Sequence, residues 1–346
     1  MILNLIGNKG GATGYSVHTT KLAEALEKQC DLKMKDFDKE HILTAIVTPD
    51  VWPLFWNKRF KAFCPFGVFE GDKVSTGWAI NANSDKVKLI FTPSEHSKQA
   101  FVNAGVPADK LKIVPHGVDP ELFNPDAKPN EQLANKDVFT FLYVGGWADG
   151  VNDRKGLDLA LIAFNEEFSK DEKVRFVAKI NTSYAPEQKI ANDIAKLELK
   201  KERALIITAY NVMPYDKLPG LYTASDCFVM PTKADAFCMP CLEAGACGLP
   251  VIANSYGGQG EYLANGNNYL IDDGELKPAT GRPKHYYEEA NWFTPNIKAL
   301  RKQMRYVFNH QKEAKEKGLK NSEDFRKNMT WDESARKLLN HIKTII

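Results

Sequence analysis

The chain alternates short apolar runs with helical stretches in two series, divided by a segment over 120–137 rich in Pro, Asn, Asp and Lys. No other feature limits the fold so tightly. Apolar runs of strand length that alternate with amphipathic stretches require parallel strands joined by crossover helices. The first series places strands near 2–6, 42–47, 60–66, 87–91 and 111–114, with helices over 15–26 and from Ser94 onward. The second places strands near 140–144, 174–180, 205–208 and 227–230, with helices over 157–168, 187–197 and 215–223. The prediction is an α/β chain of two Rossmann-like, doubly wound domains facing across a cleft. Their expected bounds are 1–125 and 126–331, and an amphipathic helix over 332–346 returns to complete the first domain.

Composition narrows the class. With 346 residues the chain is too long for one ordinary core and fits two. A net charge of +2 gives no clear nucleic-acid footprint. No apolar stretch approaches the ~20 residues that span a bilayer. The start, MILNLIGNKGG, lacks a basic leader and runs into a glycine loop, so it reads as a first strand. Six cysteines make no disulfide framework, and Cys238 and Cys241 form an isolated C-x-x-C without a second ligand pair. A cytoplasmic protein with reduced thiols is expected.

The richest string, DAFCMPCLEAGACGLPVIANSYGGQGEYL, spans 235–263. It follows an apolar run ending at Pro231 and sets Asp235 and Glu243 eight positions apart around a helix start. Pro240 and Gly248 suit the two ends of that helix, and Glu243 is expected in its first turn. Helix-start amides attract anions, while carboxylates accept from hydroxyls, a combination that describes a nucleotide-sugar. An acidic residue near a helix start is also favoured for its dipole alone. The whole string resembles the E-x7-E region of retaining glycosyltransferases of family 4, including the later Gly257, Gly258 and Glu261. Three further segments are similar to that family in the same order: TPSEHSKQAFVNAGVPADKLKIVPHGVD, FLYVGGWADGVNDRKGLDLALIAF and TWDESARKLL. The resemblance runs through 92–346, is patchier before that, and implies the GT-B architecture.

It also implies roles. Lys155, with Arg154 beside it, would meet the charge that develops on a nucleoside-diphosphate leaving group; the plainer reading is a solvated basic pair. The family usually has Arg where this chain has Gly146, after Gly145, and Arg154 is the candidate substitute. Glu243 matches the acid that accepts from ribose hydroxyls, and Asp235, one methylene shorter than the usual Glu, the acid near the transferred sugar. Phe237, Cys238 and Met239 would offer backbone amides, with Cys238 replacing the usual glycine. Gly14, in GNKGGATGYS, matches the loop that borders the donor phosphates, although such a loop alone also fits dinucleotide binding. Glu70 stands where many members have a histidine; a structural role is the alternative. Asp36-Phe37-Asp38 has the D-x-D form of a metal site but lacks that fold's context, so no metal is expected. His116, in the turn PHGVD, reads as a hinge residue rather than a base.

The expected function is metal-independent, retaining transfer of a hexose from a nucleoside-diphosphate sugar, with UDP or GDP as carrier and no further cofactor. The acceptor hydroxyl (glycan, glycoprotein, lipid or small molecule) is left open. A non-catalytic nucleotide-sugar binder is the alternative, favoured by the changes at Gly146, Asp235 and Cys238. A dinucleotide oxidoreductase would explain the glycine loop but nothing in the second half.

Overall fold

A computed structural model describes the chain except residues 1, 36–37, 57–59, 136, 149, 151–152, 201 and 346. The D-x-D stretch therefore lies partly outside the described residues. The chain forms two compact units. One comprises Met1–Gly117, Pro278–Asn291 and Met329–Ile346; the other comprises Val118–Lys277 and Trp292–Asn328.

In the first unit, strands β1 (Ile2–Ile6), β2 (Asp31–Lys33), β3 (Ile42–Ala45) and β4 (Ala62–Phe63) form a parallel sheet in the order β2-β1-β3-β4. β5 (Ile90–Thr92) and β6 (Leu111–Ile113) pair in parallel beside it, linked by the bridges Phe63–Val87 and Phe66–Phe91. Helix Gly14–Glu27 follows β1, its start capped by the Thr13 hydroxyl, which accepts from the Ser16 amide at 3.3 Å. Helix Trp331–Lys343 lies against it; Lys28 reaches Asp332 at 3.1 Å, and Gln29 donates to the Asp332 carbonyl at 2.9 Å.

The second unit holds six parallel strands: β7 (Phe139–Gly146), β8 (Val174–Asn181), β9 (Leu205–Tyr210), β10 (Cys227–Met230), β11 (Val251–Asn254) and β12 (Tyr269–Ile271). Their order is β12-β11-β10-β7-β8-β9. β10 and β11 are buried along their whole length, as strands covered on both faces must be. β13 (Gly274–Pro278) and β14 (Asn291–Pro295) pair as a ribbon, and the residues between them belong to the first unit.

Three details differ from the sequence reading. The division falls at Gly117–Val118, not at 125, because the stretch from Val118 packs within the second unit, where the Asn130 amide donates to the Gly220 carbonyl at 2.8 Å and Arg175 of β8 donates to the Leu133 carbonyl. The return to the first unit begins at Met329. The excursion Pro278–Asn291 has no counterpart in the expected division. Among the described residues no helix is long and apolar enough to cross a membrane.

Candidate active site

The second sheet itself marks a crevice. From β7 the chain winds outward through β8 and β9, then returns to β10 on the other side of β7 and winds away through β11 and β12. The ends of β7 and β10 thus flank a topological switch point, the place where open α/β sheets bind ligands. The loops leaving those two strands are laced together. The Arg154 carbonyl accepts from the Lys233 amide at 2.6 Å and from the Thr232 hydroxyl at 3.0 Å. The Arg154 guanidinium donates to the Ala234 carbonyl at 3.0 Å. Beneath them, Lys233 and Asp158 form an ion pair at 3.0 Å with side chains only 6% and 4% exposed. Asp153 closes the first loop by accepting from the Lys155 amide (2.9 Å) and the Ala148 amide (2.7 Å). Gly156 then enters helix Leu157–Glu167 with φ +70°, and a Cβ there would run into the Pro231 carbonyl.

This lacing brings Lys155, Arg154 and Asp235 together. The Lys155 ammonium is paired directly with Asp235 Oδ2, and Arg154 lies 3.9 Å from the same oxygen. Asp235 Oδ1 accepts from the amides of Cys238 (2.8 Å) and Phe237 (3.2 Å). Burial alone would raise the Asp235 pKa, but Lys155 and Arg154 outweigh it and hold it at about 2. Burial likewise opposes the Lys155 charge, yet Asp235 outweighs it and keeps that ammonium protonated above the usual range.

Two sequence expectations change here. Lys155 is not a solvated loop cation but the half-buried partner of a buried Asp235, its side chain 21% exposed. The Phe237 and Cys238 amides are occupied by Asp235, so of the three expected donors Met239 remains; it opens helix Met239–Ala246, where first-turn amides have no acceptor within the helix. Cys238 adopts the left-handed conformation that its replaced glycine would favour, φ +63°, with its carbonyl held by the Tyr262 hydroxyl at 2.8 Å. Its thiol lies 3.3 Å from that of Cys241.

Glu243 sits one turn into that helix rather than in its first turn, because the helix begins at Met239 and not at Pro240. Its carboxylate accepts from the hydroxyls of Tyr215 (2.8 Å) and Tyr222 (3.0 Å), and the residue is 4% exposed. Burial raises its pKa to about 7 against the pull of both tyrosines. A carboxyl whose folded pKa lies above its unfolded value stabilises the fold at low pH and loses that contribution as pH rises from about 4.5 to 7. Glu243→Gln, neutral at every pH, is therefore expected to flatten this window, worth up to about 3 kcal/mol. Melting temperatures of parent and variant across pH 4–8 check it; parallel curves would contradict the assignment.

The other candidates belong to the first unit. Gly14 opens the helix after β1. Glu70 lies in the loop beyond β4, its carboxylate accepting from the Tyr287 hydroxyl at 2.7 Å and its carbonyl 2.9 Å from His96 Nε2. Tyr287 lies in the excursion Pro278–Asn291, which also anchors Glu289 on Lys73 (2.9 Å) and Asn291 on Asp72 (2.6 and 2.9 Å). Sequence reading missed Tyr287, Tyr215, Tyr222 and the Lys233–Asp158 pair; only Asp158 carried a signal, in the quoted stretch RKGLD.

Residues 126–280, which carry this whole cation cluster, match the family model for glycosyl transferases group 1. Among curated relatives, D-inositol 3-phosphate glycosyltransferase of Acidothermus cellulolyticus is 26% identical over 217 residues, covering 59% of this chain and 47% of that protein. The chain spans about half the length of the first curated relatives it matches. Solved structures extend the likeness to the whole chain. Anabaena HepE, crystallised with UDP and glucose, superposes with a TM-score of 0.71 at 14% identity, covering 99% of this chain and 100% of that one. Sucrose-phosphate synthase from Thermosynechococcus elongatus gives 0.73 at 14% identity, over 99% and 98%. The fold is GT-B.

Proposed function

We propose that this chain is a metal-independent, retaining glycosyltransferase that moves a hexose from a UDP- or GDP-sugar to an acceptor hydroxyl. The observation that carries this reading is the pair of cations, Lys155 and Arg154, fixed on Asp235 beside the switch point between β7 and β10. A glycosidic bond to a diphosphate breaks with negative charge growing on the phosphate, and preformed cations lower that barrier without a metal ion. Arg154 then takes the duty of the arginine absent at Gly146. Asp235 acts mainly by holding both cations and the loop that bears Met239. Glu243 receives the ribose hydroxyls, with Tyr215 and Tyr222 setting its orientation. Gly14, for the phosphates, and Glu70, for the sugar, are the first-unit residues assigned to the donor, and the Tyr287 hydroxyl holds the Glu70 carboxylate.

The matched model over 126–280 supports the reaction class, and UDP in the Anabaena neighbour supports the donor class. The test is a panel of UDP- and GDP-hexoses, assayed for transfer and slow donor hydrolysis with and without EDTA, the product anomer being read by NMR. Product of unchanged anomeric configuration at undiminished rate in EDTA is expected. Metal-reversible loss of activity would refute metal independence, an inverted product would refute retention, and nucleotide binding without turnover would favour the non-catalytic reading.

A further inference from the structure

Gly146 ends β7 at the crevice, and its neighbour there is an aromatic ring. Gly146 pairs in register with Asn181, the last residue of β8, and the chain beyond Asn181 turns so that Tyr184 folds back over Gly146. A Cβ built at 146 would meet the Tyr184 ring at 2.8 and 3.0 Å. Tyr184 is nonetheless 46% exposed, so the residue that covers Gly146 is also open to solvent. Beneath, the Tyr143 hydroxyl lies 3.5 Å from the Gly146 carbonyl, and Tyr143 feels the charges of Asp153 and Arg154. The ring therefore lies at the ends of β7 and β8, and β7 is the strand whose outgoing loop carries Arg154 and Lys155.

We propose that Tyr184 is a donor-contacting residue whose exposed ring stacks on the nucleobase, and that Gly146 is glycine to make room for it. This rests on the nucleotide-sugar reading above. A diphosphate held by Lys155 and Arg154 leaves its base to lie along the strand ends, and a half-exposed aromatic there offers a flat apolar face at small entropic cost. A side chain at 146 would displace that face, so the arginine common elsewhere in the family is excluded by the tyrosine. Affinity for phosphate and affinity for base thus reside in separate groups.

Calorimetric titration of UDP, GDP and inorganic pyrophosphate into parent, Tyr184→Ala and Tyr184→Phe proteins tests this. Tyr184→Ala is expected to weaken the preferred nucleotide by about tenfold, to spare pyrophosphate, and to be matched by parent-like binding in Tyr184→Phe. Gly146→Ala should weaken the same nucleotide in the parent and cost nothing further in the Tyr184→Ala background, the signature of a coupled pair. The ring is on the surface, so these variants are expected to fold. Equal nucleotide affinity in Tyr184→Ala and parent, or an equal loss for pyrophosphate, would overturn base stacking alone. A parent that binds no nucleoside diphosphate would overturn the donor reading, and this proposal with it.

Discussion

Lys155→Ala is expected to lower transfer by about 10²–10³-fold and to reshape the acid stability of the protein. The two effects share one cause. Lys155 is the cation proposed to meet the leaving group and is also the direct partner of Asp235, whose pKa it helps to hold at about 2. A depressed carboxyl contributes stability above its unfolded pKa of about 3.9 and loses it as pH falls through about 2. From that shift the contribution at neutral pH is about 2 kcal/mol. With Lys155 gone, Asp235 keeps two amide donors and Arg154 at 3.9 Å, so part of this contribution survives. Denaturant midpoints should separate parent from variant widely at pH 7 and bring them together near pH 2. A gap that stays constant across that range would mean the pair is not what stabilises this loop.

Gly156→Ala should have the larger effect on stability, about 2–4 kcal/mol or a melting temperature lower by about 5–15 °C. The added methyl meets two obstacles. The left-handed φ of +70° disfavours a Cβ, and that Cβ is directed at the Pro231 carbonyl, a backbone atom that has no rotamer with which to withdraw. Pro231 begins the loop that carries Lys233 and Asp235, so relief of the clash would unlace the cations as well. Gly77→Ala is the control. It lies in helix Thr76–Asn83 with open space around its Cβ position, and alanine there is expected to be neutral or mildly stabilising. Thermal unfolding of both variants decides the matter; similar behaviour would remove the special status of Gly156.

The β/α alternation was readable because each core strand is a compact apolar run, as in Cys227–Met230, and each crossover has helical period. β2 escaped notice because its three residues, Asp31–Lys33, are exposed or half-buried and two of them are charged. Asp235 and Glu243 were legible as candidates from residue type and spacing, and Lys155 through the family resemblance. Their partners were not. Nothing in sequence joins Lys233 to Asp158, 75 positions earlier, or tells that Asp235 would take the amides of Phe237 and Cys238. Tyr215 and Tyr222 read as ordinary apolar positions of a helix, because a hydroxyl's target depends on packing and not on periodicity. The start of helix Met239–Ala246 was misjudged by about one residue, enough to move Glu243 out of the first turn and replace a dipole argument with one of burial.

The excursion Pro278–Asn291 has a consequence for anyone who wishes to recombine this protein. The backbone passes from one unit to the other at four junctions, after Gly117, Lys277, Asn291 and Asn328. A fragment ending at Gly117 lacks the Tyr287 partner of Glu70, the Glu289 partner of Lys73 and the Asn291 partner of Asp72. A hybrid that exchanges second units at the obvious boundary would import a foreign loop into the wrong half. Grafts that keep 278–291 and 329–346 with their parental first unit respect the boundaries the chain itself draws.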